Sequence, residues 1–120
     1  MKKTILILTM SLLILSCERL DNKPDAEPVS ANPMEDYAWL TELKSTLTNC
    51  RCEISIIQGT YNHQTVFFTA LTDELCDGID TPTLYDRNGK AVRTFTSVDY
   101  RYFYDHVTWD KVLYRCKTVQ

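Results

Sequence analysis

Glycine and histidine are scarce in this chain, with three and two copies in 120 residues. That scarcity excludes several chemistries. The sequence has no glycine-rich phosphate loop, no G-x-S-x-G nucleophile elbow and no H-E-x-x-H zinc helix. Runs of Lys or Arg are missing as well. With 13 basic against 16 acidic residues the net charge is −3, which disfavours nucleic acid and anionic membrane surfaces as electrostatic partners. Nor does any apolar run reach the roughly 20 residues that a bilayer-spanning helix needs. The longest, Thr4 to Leu15, has the length of a signal-peptide core.

That run sits in a leader. Met1-Lys2-Lys3 supplies a basic start, the apolar stretch follows, and small Ser16 stands where a signal peptidase prefers a small side chain. The next residue is a cysteine, and Ile14-Leu15-Ser16-Cys17 resembles the lipobox at which bacterial lipoproteins are cleaved and acylated. The resemblance implies that residues 1–16 are removed and that Cys17 becomes a lipidated first residue. Three acyl chains, at ~0.8 kcal/mol per buried CH₂, make such an anchor effectively permanent. The mature chain keeps 11 of the 13 Lys and Arg and all 16 Asp and Glu, a balance of −5 over 104 residues. That length is one domain with a modest core, so cross-links matter.

Glu18 to Asn32 is polar, carries Pro24 and Pro28, and has no apolar period. It reads as a flexible tether, so that 17–32 is lipidated Cys17 plus a coil spanning roughly 20 Å. Glu18, Asp21 and Asp25 follow Cys17 where lipoproteins of Bacteroidota carry acidic export signals.

A single globular domain is expected over 33–118. Asn32 suits a helix N-cap, Pro33 the first helical position, and Glu35 stands three residues after the cap. Trp39, Leu40, Leu43 and Leu47 then share one helical face, and Asn49 makes a stop. The β-branched stretch Cys52–Ile57 and Gln64–Thr69 read as paired strands around a tight turn at Asn62, with Gly59 as a bulge. An acidic irregular stretch, Thr72 to Pro82, precedes a second hairpin turning at Asn88-Gly89. Ser97 to Val107 separates apolar from charged residues better as a helix than as a strand. Tyr100, Phe103, Tyr104 and Val107 form its buried stripe, and Tyr102 faces water. Trp109 to Lys117 is a last strand. The expected fold is α+β, in the order α-β-β-β-β-α-β. One antiparallel sheet of about five strands is packed by an N-terminal and a C-terminal helix and braced by disulfides.

The set Trp39-Leu40, Tyr61, Val66-Phe67-Phe68, Cys76-Asp77 and Leu84-Tyr85-Asp86-Arg87-Asn88-Gly89 resembles a family of small uncharacterised lipoproteins of Bacteroidota. The resemblance covers roughly residues 37–93, implies an outer-membrane lipid anchor facing the periplasm or the cell surface, and implies no activity. Where that family carries a Gly- and Cys-rich stretch, this chain has aromatic Tyr100–Tyr104.

Four cysteines remain beside Cys17: Cys50, Cys52, Cys76 and Cys116. Outside the inner membrane an even number reads as disulfides. Cys50–Cys52 is the poorest pair, because residues i and i+2 of a strand lie near the upper limit of Cα separation. A register with Tyr61 opposite Gln64 sets Cys50 beside Cys76 and leaves Cys52 for Cys116. A four-thiolate zinc site is disfavoured by the single-residue gap between Cys50 and Cys52. Asp73, Glu74, Asp77 and Asp80 lie in one loop, but their spacing matches no calcium loop, and a solvated acidic loop is expected. No cofactor, metal or catalytic residue is assigned. His63 is placed on a turn tip and His106 on a helix surface, and Glu53 with Asp86 makes only a weak carboxylate pair.

The expected function is a non-catalytic binding or structural module of the cell envelope. It is held to the membrane through acylated Cys17 and touches an envelope protein or a glycan, with no nucleic-acid partner. Tyr61 and Tyr102 are the candidate contact residues. A small disulfide-braced inhibitor of a lysozyme or protease is the alternative, and an enzyme the third reading.

Overall fold

The computed structural model describes residues 28–118. Cys17, the leader and most of the tether lie outside them. Within them the chain runs α1 (Pro33–Asp36), α2 (Ala38–Thr46), β1 (Ile54–Tyr61), β2 (Gln64–Leu71), β3 (Thr83–Tyr85), β4 (Ala91–Thr94), α3 (Tyr100–His106) and β5 (Thr108–Cys116). The five strands form one antiparallel sheet in the order β4-β3-β2-β1-β5. The α+β fold with a single five-stranded sheet is as expected.

The central strands carry apolar side chains on both faces, which is why their runs are continuous where a half-buried strand would alternate. Ile56 and Phe67 point to one face and meet Leu40, with Tyr37, Trp39, Leu43 and Leu47 packed around them. Ile57, Val66, Phe68 and Ala70 point to the other and meet Phe95, Phe103 and Val107. The sheet is therefore a middle layer, with α1 and α2 on one side and α3 on the other. Phe67, Phe68, Ile56, Ile57, Leu40 and Phe103 are fully buried, and each such side chain contributes roughly 1.5–3 kcal/mol by leaving water. Buried Ser55 is satisfied by the Thr72 hydroxyl at 2.7 Å.

Three local expectations change. The N-terminal helix is two helices, broken at Tyr37, whose extended backbone (φ −104°, ψ 103°) turns its ring edge-on to Phe67. The folded body also begins earlier than residue 33. Val29 packs on the Phe67 side of the sheet, the Ser30 N–H donates to the Tyr37 hydroxyl at 3.2 Å, and the Ser30 hydroxyl donates to the Asp36 carboxylate. The last helix, expected from Ser97, starts at Tyr100 after the N-cap position Asp99, whose carboxylate bonds no helix N–H and instead accepts the Thr96 N–H at 3.2 Å and hydroxyl at 3.1 Å. The first hairpin keeps the expected register, Tyr61 opposite Gln64, with Asn62 and His63 both at positive φ in the turn. Gly59 marks a bulge on the β5 side, where a Cβ would stand 2.2 Å from the Thr108 carbonyl oxygen. Only glycine lets β5 approach so closely.

The disulfides are Cys50–Cys116 and Cys52–Cys76. The expected pairing, Cys50–Cys76 with Cys52–Cys116, is corrected, although the register it rested on holds. The β1–β2 ladder ends at Ile54 and Leu71. One more bond follows, Thr72 N–H to the Glu53 carbonyl, and the chain then turns, with the Cys76 N–H on the Asp73 carbonyl at 3.2 Å. That turn folds Cys76 back onto Cys52 before the ladder could reach Cys50. On the other edge of β1, β5 brings Cys116 opposite Ile54, and the Thr118 N–H reaches the Cys50 carbonyl at 2.8 Å. Cys50 is thus delivered to Cys116.

Candidate contact surface

Tyr61 is not a surface residue. It lies on the same face of β1 as Ile57, is buried to 6% exposure, and meets Phe95 edge-on at 6.2 Å. Its hydroxyl accepts a 2.7 Å bond from the Arg93 guanidinium. Burial alone would raise the Tyr61 phenol, but the bonds from Arg93 and Tyr102 outweigh it and leave the group below its ordinary value. Alternation along β1 carries the signal for this burial, since Tyr61 is four residues from Ile57. The contact assignment of Tyr61 is corrected.

Tyr102 is 38% exposed. Its ring lies over the Arg93 guanidinium at 4.4 Å and stacks on His106 at 3.7 Å, while the His106 ring nitrogen Nδ1 meets the Tyr102 carbonyl oxygen at 2.9 Å. Arg93 also stands 4.7 Å from the Phe95 ring. The cation is held among rings, and its hydrogen bond to the Tyr61 hydroxyl, followed by that to Tyr102, raises its proton affinity. Tyr102 is half surface and half wall of this cluster.

The more open aromatic surface is beside it. Tyr104, expected in the buried stripe, is 47% exposed. The interior position is filled by Phe103, whose ring touches Phe68, Tyr104 and Trp109. Trp109, at the start of β5, packs its inner side on Phe68 at 5.5 Å and lies 6.2 Å from Tyr104 with ring planes 23° apart. Val112 shares its face of β5, because Trp109 pairs with Gly59 and Val112 with Ile57, two residues apart on β1. Tyr104, Trp109 and Val112 form a strip along α3 and β5, each between 38% and 47% exposed. The strip is held in place: the Tyr104 hydroxyl donates to Asp80 at 2.6 Å, and burial with the Asp80 charge raises its phenol to about 12. On the opposite face of β5, Thr60 and Thr108 donate to the Asp110 carboxylate at 2.6 and 3.1 Å and fix the strand that carries Trp109.

Other candidates are accounted for by local bonding. Asp73 accepts the Glu53 and Leu75 N–H groups, which hold its carboxyl pKa below the ordinary value, and Asp80 accepts the Leu71 N–H at 2.8 Å. Glu74 and Asp77 are exposed. One cluster, Cys52, Asp73 and Cys76, has the spacing of a metal site, but its two sulfurs are bonded to each other and are not thiolates. Glu53 pairs with Arg115 at 2.9 Å and with Thr72, while Asp86 caps its own turn through the Asn88 and Lys90 N–H groups. They form no carboxylate pair. His63 sits in the first turn, as expected.

No described helix is long and apolar enough to cross a membrane. Comparison with protein-family models, with curated proteins and with solved structures gave no match.

Proposed function

We propose that this protein is a lipid-anchored contact module of the cell envelope. It would be attached to the outer membrane through acylated Cys17 and act through the strip of Tyr104, Trp109 and Val112. The observation that carries the reading is the Tyr104–Trp109 pair: two partly exposed rings, 6.2 Å apart, backed by buried Phe103 and Phe68. Rings fixed in this way lose little conformational entropy on contact, and a flat apolar face with polar atoms at its border suits a sugar ring. Asp80 supplies that border. An envelope glycan is therefore the preferred partner and an envelope protein the second. The lipobox-like Ile14–Cys17 and the resemblance to Bacteroidota lipoproteins support the anchor.

Two measurements test the reading. Intact-mass analysis of the membrane fraction should find Cys17 as an acylated N-terminus, and a soluble chain still bearing Met1 would oppose the anchor. A photo-crosslinking residue at position 104 should capture envelope glycan in cells, whereas one at Glu42, on the outer side of α2, should not. Equal capture at both positions would remove the strip from the account. The inhibitor reading has one observation in its favour. Leu75, 92% exposed, projects from a loop stapled by Cys52–Cys76. It predicts that the purified chain slows a lysozyme or protease and that Leu75→Asp abolishes the effect.

A further inference from the structure

Beyond the end of β5 that is opposite the aromatic strip, the structure has a hollow of about 690 Å³. Its lining includes Asn49, Arg51, Asp73, Leu75, Cys76 and Lys117. Trp109 and Lys117 are eight residues apart along an extended strand, so the hollow lies about 25 Å from the strip. The volume is in the range of small-molecule sites, and the lining mixes apolar surface with a few charges.

The charges are unequal in their engagement. Asp73, the acidic wall, already accepts two backbone N–H groups, from Glu53 at 3.0 Å and from Leu75 at 3.1 Å. Arg51 and Lys117, the two cations, make no hydrogen bond or ion pair among the described residues, although the Lys117 charge reaches Asp73 and Glu53. Their neighbour Arg115, by contrast, is paired with Glu53. The same lining offers apolar surface: Cys76, in disulfide with Cys52, and Leu75, which is 92% exposed. A leucine left in water gains by being covered, and an unpaired cation gains from an anion that approaches it with apolar surroundings.

We infer that this hollow binds a small amphipathic anion, with its acidic head between Arg51 and Lys117 and its apolar body across Leu75 and the Cys52–Cys76 disulfide. The wall is rigid before binding. The disulfide, the Asp73 bonds and the Cys76 N–H bond to the Asp73 carbonyl fix the loop that carries Leu75, so little ordering is required of the protein. The site is separate from the aromatic strip and does not depend on it.

The test uses the soluble Cys17→Ser chain without its leader and two probes with the same rings. One, 8-anilinonaphthalene-1-sulfonate, carries an anionic head; the other, N-phenyl-1-naphthylamine, is uncharged. Fluorescence titration should show one saturable site for the sulfonate and binding of the uncharged probe about tenfold weaker or worse, the size of one charge-assisted contact. Arg51→Gln with Lys117→Gln should lose about tenfold for the sulfonate and leave the uncharged probe unchanged. Lys90→Gln with Lys111→Gln, which removes two exposed cations elsewhere, should bind both probes as the parent chain does. Circular dichroism of each variant checks that the fold is retained. Equal affinity for the two probes, or an unchanged affinity in the Arg51/Lys117 variant, would overturn the inference. So would an equal loss in the Lys90/Lys111 variant. Binding that appears only after residues 18–27 are deleted would also overturn it, because the acidic tether would then be the occupant.

Discussion

The indole N–H of Trp39 donates to the main-chain carbonyl of Arg87, 2.7 Å away and 48 residues further along the chain. This bond ties α2 to the second hairpin, and the same ring explains why the turn needs glycine. Gly89 sits at φ +78°, and a Cβ there would stand 2.8 Å from the Trp39 ring. Gly89→Val should therefore suffer twice, from the left-handed backbone and from the clash, and lose about 2 kcal/mol or more in urea unfolding. Trp39→Phe, which deletes only the hydrogen bond and some surface, should lose about 1 kcal/mol. A larger loss from Trp39→Phe than from Gly89→Val would place the constraint elsewhere.

Non-reducing peptide mapping should link Cys50 to Cys116 and Cys52 to Cys76. Replacing each pair by serine should remove unequal amounts of stability, because the first closes 66 residues and the second 24. Loop-closure entropy gives about 4 kcal/mol for the longer loop and about 3 kcal/mol for the shorter. Denaturant midpoints in that order are expected, and the reverse order would mean that strain or residual denatured structure dominates.

Much of this was legible in the sequence. The two hairpins and their turns could be read because Asn62 and the glycine of Asn88-Gly89 mark positions that take positive φ. The face shared by Trp39, Leu40, Leu43 and Leu47 could be read from its period. The disulfide pairing is not legible from the hairpin register, for a specific reason. A register is a local property, and this one does not reach past Leu71, because the turn at Asp73 ends the ladder. The position of β5 on the far edge of β1 depends on long-range pairing that no local signal encodes. Tyr104 and Phe103 are adjacent in the helix, and both satisfy a helical stripe. Which one faces inward depends on where Trp109 lies, and only the assembled fold decides that.

Tyr104 should resist alkaline titration. Its phenol is raised to about 12 by the partial burial of its ring and by Asp80, so absorbance at 295 nm should show a late ionisation step near that pH. The sign for stability follows. The folded state holds this proton more tightly than the unfolded chain, whose tyrosine titrates near 10. The contribution is therefore fully present below about pH 10 and is lost as pH rises through about 12. Asp80→Asn should move the late titration toward the ordinary value. A late step unchanged in that variant would assign it to another residue.

Tyr102→Ala should cost more than an ordinary surface change. The ring covers the Arg93 guanidinium at 4.4 Å and stacks on His106. Cation–π contact at a partly exposed site contributes about 0.5–1 kcal/mol. A loss of about 1 kcal/mol is expected, with most of it recovered in Tyr102→Phe, which keeps the ring. An equal loss in both variants would make the hydroxyl the important group.

The most direct test of the contact account is co-sedimentation of the soluble Cys17→Ser chain with purified peptidoglycan sacculi. The parent chain should pellet with the sacculi in a saturable manner. Trp109→Ala combined with Tyr104→Ala should leave most of the protein in the supernatant while circular dichroism shows the fold retained. A double variant that pellets as the parent does, or a parent chain that never pellets, would contradict a glycan-contact role for this strip.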